Sequence, residues 1–170
     1  MGIGKSTAIR TLCGELAVDC DVENLDPTRP DKIMTTVGAD YGVIELDDEQ
    51  PLHIYGSPGQ ERFAFMRDWL MSLAIGAIVL VDLHAAEALV DSVALVRELE
   101  ATPGAPMVMV VIARPAEPEE IDRFADTLAE SIGWAVPTLA ADPRDREQML
   151  SVLSVLISMI SIENDYTQKD

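Results

Sequence analysis

Basic residues are scarce: 12 Lys and Arg stand against 30 Asp and Glu over 170 residues, a formal net charge of -18. Binding to nucleic-acid phosphates or anionic lipid headgroups runs on lysines and arginines that release counterions, so the charge argues against a general nucleic-acid or membrane-surface role. An anionic ligand would need a specific local site. Long apolar runs are missing too, since none approaches the roughly 18 to 20 residues that span a bilayer. The N-terminus lacks the basic stretch and apolar segment of a signal peptide, so neither membrane insertion nor secretion is expected and a cytoplasmic location is. Two cysteines, Cys13 and Cys20, are too few for a disulfide scaffold and suit reduced thiols. With His53 and His84 they offer zinc-ligand types, yet no C-x-x-C or H-x-x-x-H spacing gathers them. Low-complexity linkers and internal repeats are also absent. A content of 48% hydrophobic and 25% charged residues over 170 positions predicts one globular domain with a continuous core.

What is present alternates between strand and helix signals. Ala8, Ile9, Leu12, Cys13 and Leu16 recur at helical spacing from Lys5 onward. A polar stretch with Pro27 and Pro30 reads as a long loop from about Asp19 to Ala39. Tyr41 to Leu46 and Leu52 to Tyr55 read as an antiparallel hairpin, followed by a helix from about Glu61 to Leu73. Ala77 to Val81 and Met107 to Ile112 are near-continuous apolar runs, the signature of strands buried on both faces. Helices are expected over Ala85 to Glu100, Glu119 to Ile132 and Arg144 to Ile160, with a short strand over Val136 to Leu139. The first of these directs Leu89, Val90, Val93, Val96 and Leu99 to a core. This alternation predicts a three-layer α/β domain with a mostly parallel sheet.

The strongest chemical signal is Gly4-Lys5-Ser6-Thr7 at the start of the first helix. Backbone N–H groups there carry partial positive charge and point at a bound anion. A lysine in the first turn reaches phosphate oxygens and a serine hydroxyl can ligate Mg2+, the arrangement of the second half of a G-x-x-x-x-G-K-[ST] phosphate loop.

Gly4-Lys5-Ser6-Thr7, then Thr36-Val37-Gly38, then Gly56-Ser57-Pro58-Gly59-Gln60-Glu61-Arg62-Phe63 resemble the phosphate loop, switch I and switch II of a small Ras-like GTPase, in particular the bacterial MglA-type branch. Ala141-Asp142-Pro143-Arg144-Asp145-Arg146 is similar to the segment that closes the base pocket in that branch. The resemblance runs over essentially the whole chain and implies a P-loop NTPase fold that binds GTP or GDP with Mg2+. It further implies slow GTP hydrolysis, a roadblock-type activator and downstream effectors. By the same resemblance, Gly2, Gly4, Lys5 and Thr7 line the nucleotide, Lys5 contacting the β and γ phosphates. Ser6 and Thr36 ligate Mg2+, Gly59 donates its N–H to the γ-phosphate, and Gln60 orients the attacking water. Arg114 stands where a lysine's aliphatic stem stacks on the base. Loss of the γ-phosphate would release both switch loops.

The chain departs from the family at three places. The first glycine of the phosphate loop and the first central strand of a Ras-like sheet fall ahead of Met1, so Met1 is expected to be an internal methionine of that loop. An in-frame stop codon immediately upstream in the genomic DNA is the observation that opposes this. Gly56, a glycine that the resemblance to the bacterial branch also implies, replaces the carboxylate that usually begins the switch II motif, leaving Ser6, Thr36 and phosphate oxygens to retain the metal. Ala113-Arg114-Pro115-Ala116 replaces the N-K-x-D that reads guanine. Hydrogen bonds to a charged group contribute about 1.5 to 3 kcal/mol each, so most of the guanine preference goes with that carboxylate. Glu117 and Glu119 lie nearby as substitutes.

Plainer roles compete with these. Thr36 can be an ordinary loop hydroxyl, Gln60-Glu61-Arg62 a polar helix start, and Asp82 a helix cap. Phe63, Phe65, Met66 and Trp69 suit packing rather than a cofactor box, with any exposed part open to a partner. The apolar last helix, with its line of Ser151, Ser154, Ser158 and Ser161, suits close packing on a sheet, or else a partner contact. Three functions follow in order: a regulatory GTPase, a degenerate GTPase-like interaction module, and a small P-loop kinase.

Overall fold

In the computed structural model, residues 2–18, 21–23, 34–36, 40–45, 51–57 and 64–167 are described. The first helix, α1 (Lys5–Cys13), buries Ala8, Ile9, Leu12 and Cys13. Gly14 ends it, and Leu16 falls in a single 3-10 turn where it is 53% exposed rather than continuing the buried stripe. Within the stretch read as a loop, β1 (Asp21–Glu23) pairs antiparallel with β2 (Met34–Thr36). Three-residue strands carry too few residues to show a two-residue period, so the polar composition masked them.

The hairpin comprises β3 (Asp40–Glu45) and β4 (Pro51–Gly56), in continuous antiparallel register from Asp40 opposite Gly56 to Glu45 opposite Pro51. Its strands begin one residue before the expected starts at Tyr41 and Leu52. After α2 (Ala64–Leu73) comes β5 (Gly76–Val81), then α3 (Ala88–Glu100), β6 (Met107–Ile112), α4 (Pro118–Ile132), β7 (Thr138–Ala140) and α5 (Arg146–Thr167). Strands β5, β6 and β7 form a three-stranded parallel sheet in that order. The α/β class and parallel sheet match the expectation. Among the described residues no strand pairs with β5 on the side away from β6, and the hairpin forms its own two-stranded sheet.

Alternation along β6 divides the core. Met109 and Val111 face α1 and α5, while Val108, Val110 and Ile112 face α3 and α4, because successive strand side chains point to opposite faces. Ile44, Leu52 and Ile54 of the hairpin and Ile78 and Leu80 of β5 pack on the same α1–α5 cluster, so the two sheets share one apolar layer without sharing hydrogen bonds.

Helix ends follow their local chemistry. Helix α3 starts at Ala88, three residues after the expected point. Asp82 accepts the His84 N–H at 3.0 Å, holding a turn there, and its role is in that turn rather than at the N-cap, which is Glu87. Val90 is 68% exposed on α3, unlike the buried Val96 and Leu99. At 100° per residue it lies a quarter-turn off the line from Leu89 to Val93 and Val96. Helix α4 begins with Pro118 behind a reciprocal Glu117–Glu120 capping box and ends at Gly133 with φ 102°, a left-handed stop that favours glycine. Glu117 is thereby committed to the cap. Helix α5 runs past Ile160 to Thr167. By length and composition, its Arg146–Tyr166 stretch is the one helix among the described residues able to cross a membrane, with mean hydropathy 1.2. The stretch holds no continuous apolar run, since serines interrupt it, and its Leu, Ile, Val and Met outweigh them in the average. Met149, Val152, Leu153 and Leu156 bury one face, while Ser151, Ser158 and Ser161 donate to carbonyls one turn back.

Leu128→Ala is expected to lower unfolding free energy by about 2 to 5 kcal/mol through cavity formation. Val90→Ala should stay within about 0.5 kcal/mol. Urea unfolding of both variants checks the difference.

Candidate functional site

Two glycines shape the turn into α1. Gly2 has φ 84° and Gly4 φ 109°, backbone that glycine adopts at little steric cost. Gly4 is the N-cap residue and supplies no side-chain cap. The first α-helical bond is the Ala8 N–H to Gly4 carbonyl at 2.8 Å, so the N–H groups ahead of Ala8 have no partner within the helix. Such an end attracts anions. Lys5 is exposed in this first turn, and Ser6 and Thr7 are half-buried beside it.

Two loops from the parallel sheet brace this turn. After β6, Arg114 donates from Nη2 to the Gly2 carbonyl at 3.0 Å and from Nη1 to the Ala113 carbonyl at 3.1 Å. After β7, the buried Pro143 lies against Gly4, where a Cβ would come 3.1 Å from the proline Cβ and Cγ. Both loops follow the carboxyl ends of their strands, the side on which open α/β sheets bind ligands. The Asp142 carboxylate receives Arg144 from two nitrogens, including Nη2 at 2.7 Å. Asp145 caps α5 by accepting the Glu147 and Gln148 N–H groups, and Gln148 Oε1 in turn accepts the Asp142 N–H at 2.9 Å. Hydrogen bonding to Arg144 holds the Asp142 carboxyl down to about 2, with the Arg144 and Arg114 charges adding to the effect.

From the hairpin, Asp40 Oδ2 accepts the Ser6 hydroxyl at 2.5 Å. Across the ladder from Asp40 stands Gly56, where a Cβ would meet Ile9 Cδ1 at 3.0 Å and Asp40 Cβ at 3.1 Å. Beside the hairpin, Tyr41, Tyr55, Phe65, Met66, Trp69 and Leu70 line an apolar groove of about 240 Å³. Phe65 is 70% and Trp69 57% exposed, so these two are surface rather than core.

The residues drawn together are thus Gly2, Gly4, Lys5, Ser6, Thr7 and Arg114. Thr36 closes β2 opposite Asp21. Gly59, Gln60, Phe63 and Cys20 lie outside the described residues. Cys13 is a free, buried thiol whose pKa is raised by desolvation. His53 and His84 are engaged separately, by the Tyr41 hydroxyl at 2.7 Å and the Pro115 carbonyl at 3.0 Å. Pro143 belongs to the segment likened to the one that closes the base pocket, while Asp40 emerges as a site residue that the motifs did not single out. Asp40 was hidden because the hairpin was read as starting at Tyr41, one residue too late. No protein-family model matches this chain, and no curated protein matches its sequence.

The Asp142 carboxyl is expected to titrate at about 2 in an NMR pH series. Arg144→Gln should return it toward the ordinary aspartate value of about 3.9. Because the folded-state pKa is lowered, the associated stabilisation is present above the unfolded value and is lost as pH falls through about 2. An ordinary wild-type midpoint is the opposing result.

Proposed function

We propose that this protein is a small GTP-binding switch of the P-loop, Ras-like class, which slowly hydrolyses bound GTP to GDP and phosphate. The observation that carries the proposal is Gly4-Lys5-Ser6-Thr7 at an α1 N-terminus with no side-chain cap, braced by Arg114 and Pro143 at the carboxyl end of a parallel sheet. Helix N–H groups and Lys5 would hold phosphate oxygens, which a surface of net charge -18 would otherwise repel. The side-chain donors at the head of α1 are oxygens, with no thiol or imidazole among the described contacts of Ser6, and hard oxygen donors fit Mg2+. Ser6 would hold that ion, and Thr36 would join it by the family resemblance. When bound, Mg2+ neutralises charge building on the transferring phosphoryl group. Gly59 and Gln60 would bind the γ-phosphate and orient water, and Arg114 would cover the base. Release of the γ-phosphate would change the surface that a roadblock-type activator and effectors read.

A second function, an interaction module without turnover, draws support from two observations. Ala113-Arg114-Pro115-Ala116 stands in place of a guanine-reading carboxylate, and Glu117 is occupied as the α4 cap. Exposed Phe65 and Trp69 also provide an apolar contact surface next to the hairpin.

Calorimetric titration with GTP, GDP and ATP in the presence of Mg2+ separates the two. Guanine-nucleotide binding is expected, weakened about 10- to 100-fold or more by Lys5→Ala, from the 1.5 to 3 kcal/mol of a charged hydrogen bond. Absence of binding by every nucleotide overturns the switch and leaves the module.

A further inference from the structure

Position 56 carries glycine where a Ras-like switch II begins with a carboxylate. The hairpin register sets Asp40 directly across from Gly56, and the Asp40 carboxylate already holds the Ser6 hydroxyl at 2.5 Å. A Cβ on residue 56 would stand 3.1 Å from Asp40 Cβ and 3.3 Å from its Oδ2. The glycine therefore leaves the room that the Asp40 side chain takes. We infer that Asp40 is the carboxylate of the magnesium site, supplied from the partner strand of the hairpin in place of the one missing at position 56. This assignment rests on the nucleotide-binding function proposed above.

The chemistry of the pair supports it. A serine hydroxyl has one proton and two lone pairs. With the proton donated to Asp40, both lone pairs remain for a cation, and the neighbouring negative charge makes the oxygen a better donor. Carboxylates behind a metal ligand commonly orient it in this way. Mg2+ keeps several waters and takes only one or two protein carboxylates together with phosphate oxygens, so one hydroxyl backed by one carboxylate is an adequate protein share. Among the described residues no group of three or more His, Cys, Asp and Glu offers an alternative cage.

Charge gives the assignment a distinctive sign. A diphosphate drawn to the α1 N-terminus approaches the Asp40 carboxylate, and the two anions repel unless a cation lies between them. Asp40 should therefore weaken nucleotide binding without Mg2+ and strengthen it with Mg2+. A purely structural role, holding Ser6 and the hairpin in place, would act alike in both conditions. In this role Asp40 is a positioning residue, acting through Ser6 and the ion.

The test is calorimetric titration of GDP into the full chain, wild type and Asp40→Asn, with excess Mg2+ and with EDTA. Asparagine keeps an oxygen to accept from Ser6 while removing the charge, and the thermal unfolding midpoint reports whether the variant folds. Mg2+ should tighten GDP binding to the wild type, and Asp40→Asn should reduce that enhancement about 10- to 100-fold, without weakening binding in EDTA. Equal enhancement in both proteins overturns the assignment. The wild type alone also suffices to overturn it: GDP affinity unaffected by Mg2+ removes the metal role while nucleotide binding stands. No GDP binding in either condition overturns the nucleotide function, and the assignment with it.

Discussion

Helix α1 is the wedge on which the rest of the site depends. The hairpin and the parallel sheet are separate hydrogen-bonded units among the described residues, so their mutual placement rests on α1 and the segment after it, through side-chain packing, the Ser6–Asp40 contact and the Val18–Tyr41 backbone bridge. Ile9 and Cys13 approach the hairpin so closely that a Cβ on Gly42 would fall 2.4 Å from Cys13 Sγ, and one on Gly56 would fall 3.0 Å from Ile9 Cδ1. On its other side α1 joins Met109, Val111 and the buried face of α5. Each fully buried aliphatic side chain contributes about 1.5 to 3 kcal/mol. A handful of residues on α1 therefore supplies much of what holds the two sheets in register.

That wedge also sets the chemistry. The turns of α1 that bury Ile9 and Cys13 carry Ser6 to Asp40 at its N-terminal end, so the hydroxyl–carboxylate contact follows from core packing. Loops after β6 and β7 then close on the glycine turn through Arg114 and Pro143. The result is a small region where helix N–H groups, Lys5 and Arg114 gather on a molecule otherwise dominated by acidic side chains. Local positive potential in an acidic field favours a ligand that is anionic yet compact, and disfavours an extended polyanion.

How much of this was legible beforehand depended on the range of each signal. The buried strands β5 and β6 are legible as near-continuous apolar runs, and α4 as a helix from Glu119, one residue after its start at Pro118. Strands β1 and β2 were invisible because three residues of mixed polarity show no period. Val90 is expected in the core and Leu16 on the first helix because apolar character alone does not tell which side of a helix meets the sheet or where the helix stops. Phe65 and Trp69 are the exposed part of the apolar group expected to serve packing or a partner, and they lie on the surface beside Tyr55.

The sequence by itself determined the α/β alternation, the acidic surface and the glycine-lysine-serine start of α1, because these depend on neighbours within one or two turns of chain. Tertiary structure alone decided that Asp40 meets Ser6, that Arg114 holds the Gly2 carbonyl, that Pro143 covers Gly4, and that Glu117 is used as a cap rather than left for a ligand. The three long-range contacts join residues distant in sequence, and they exist only where strand register and the packing of α1 bring their backbones together. Position 56 shows the difference most simply. In sequence it is a bare glycine, while in the folded hairpin it is the space that the Asp40 side chain occupies.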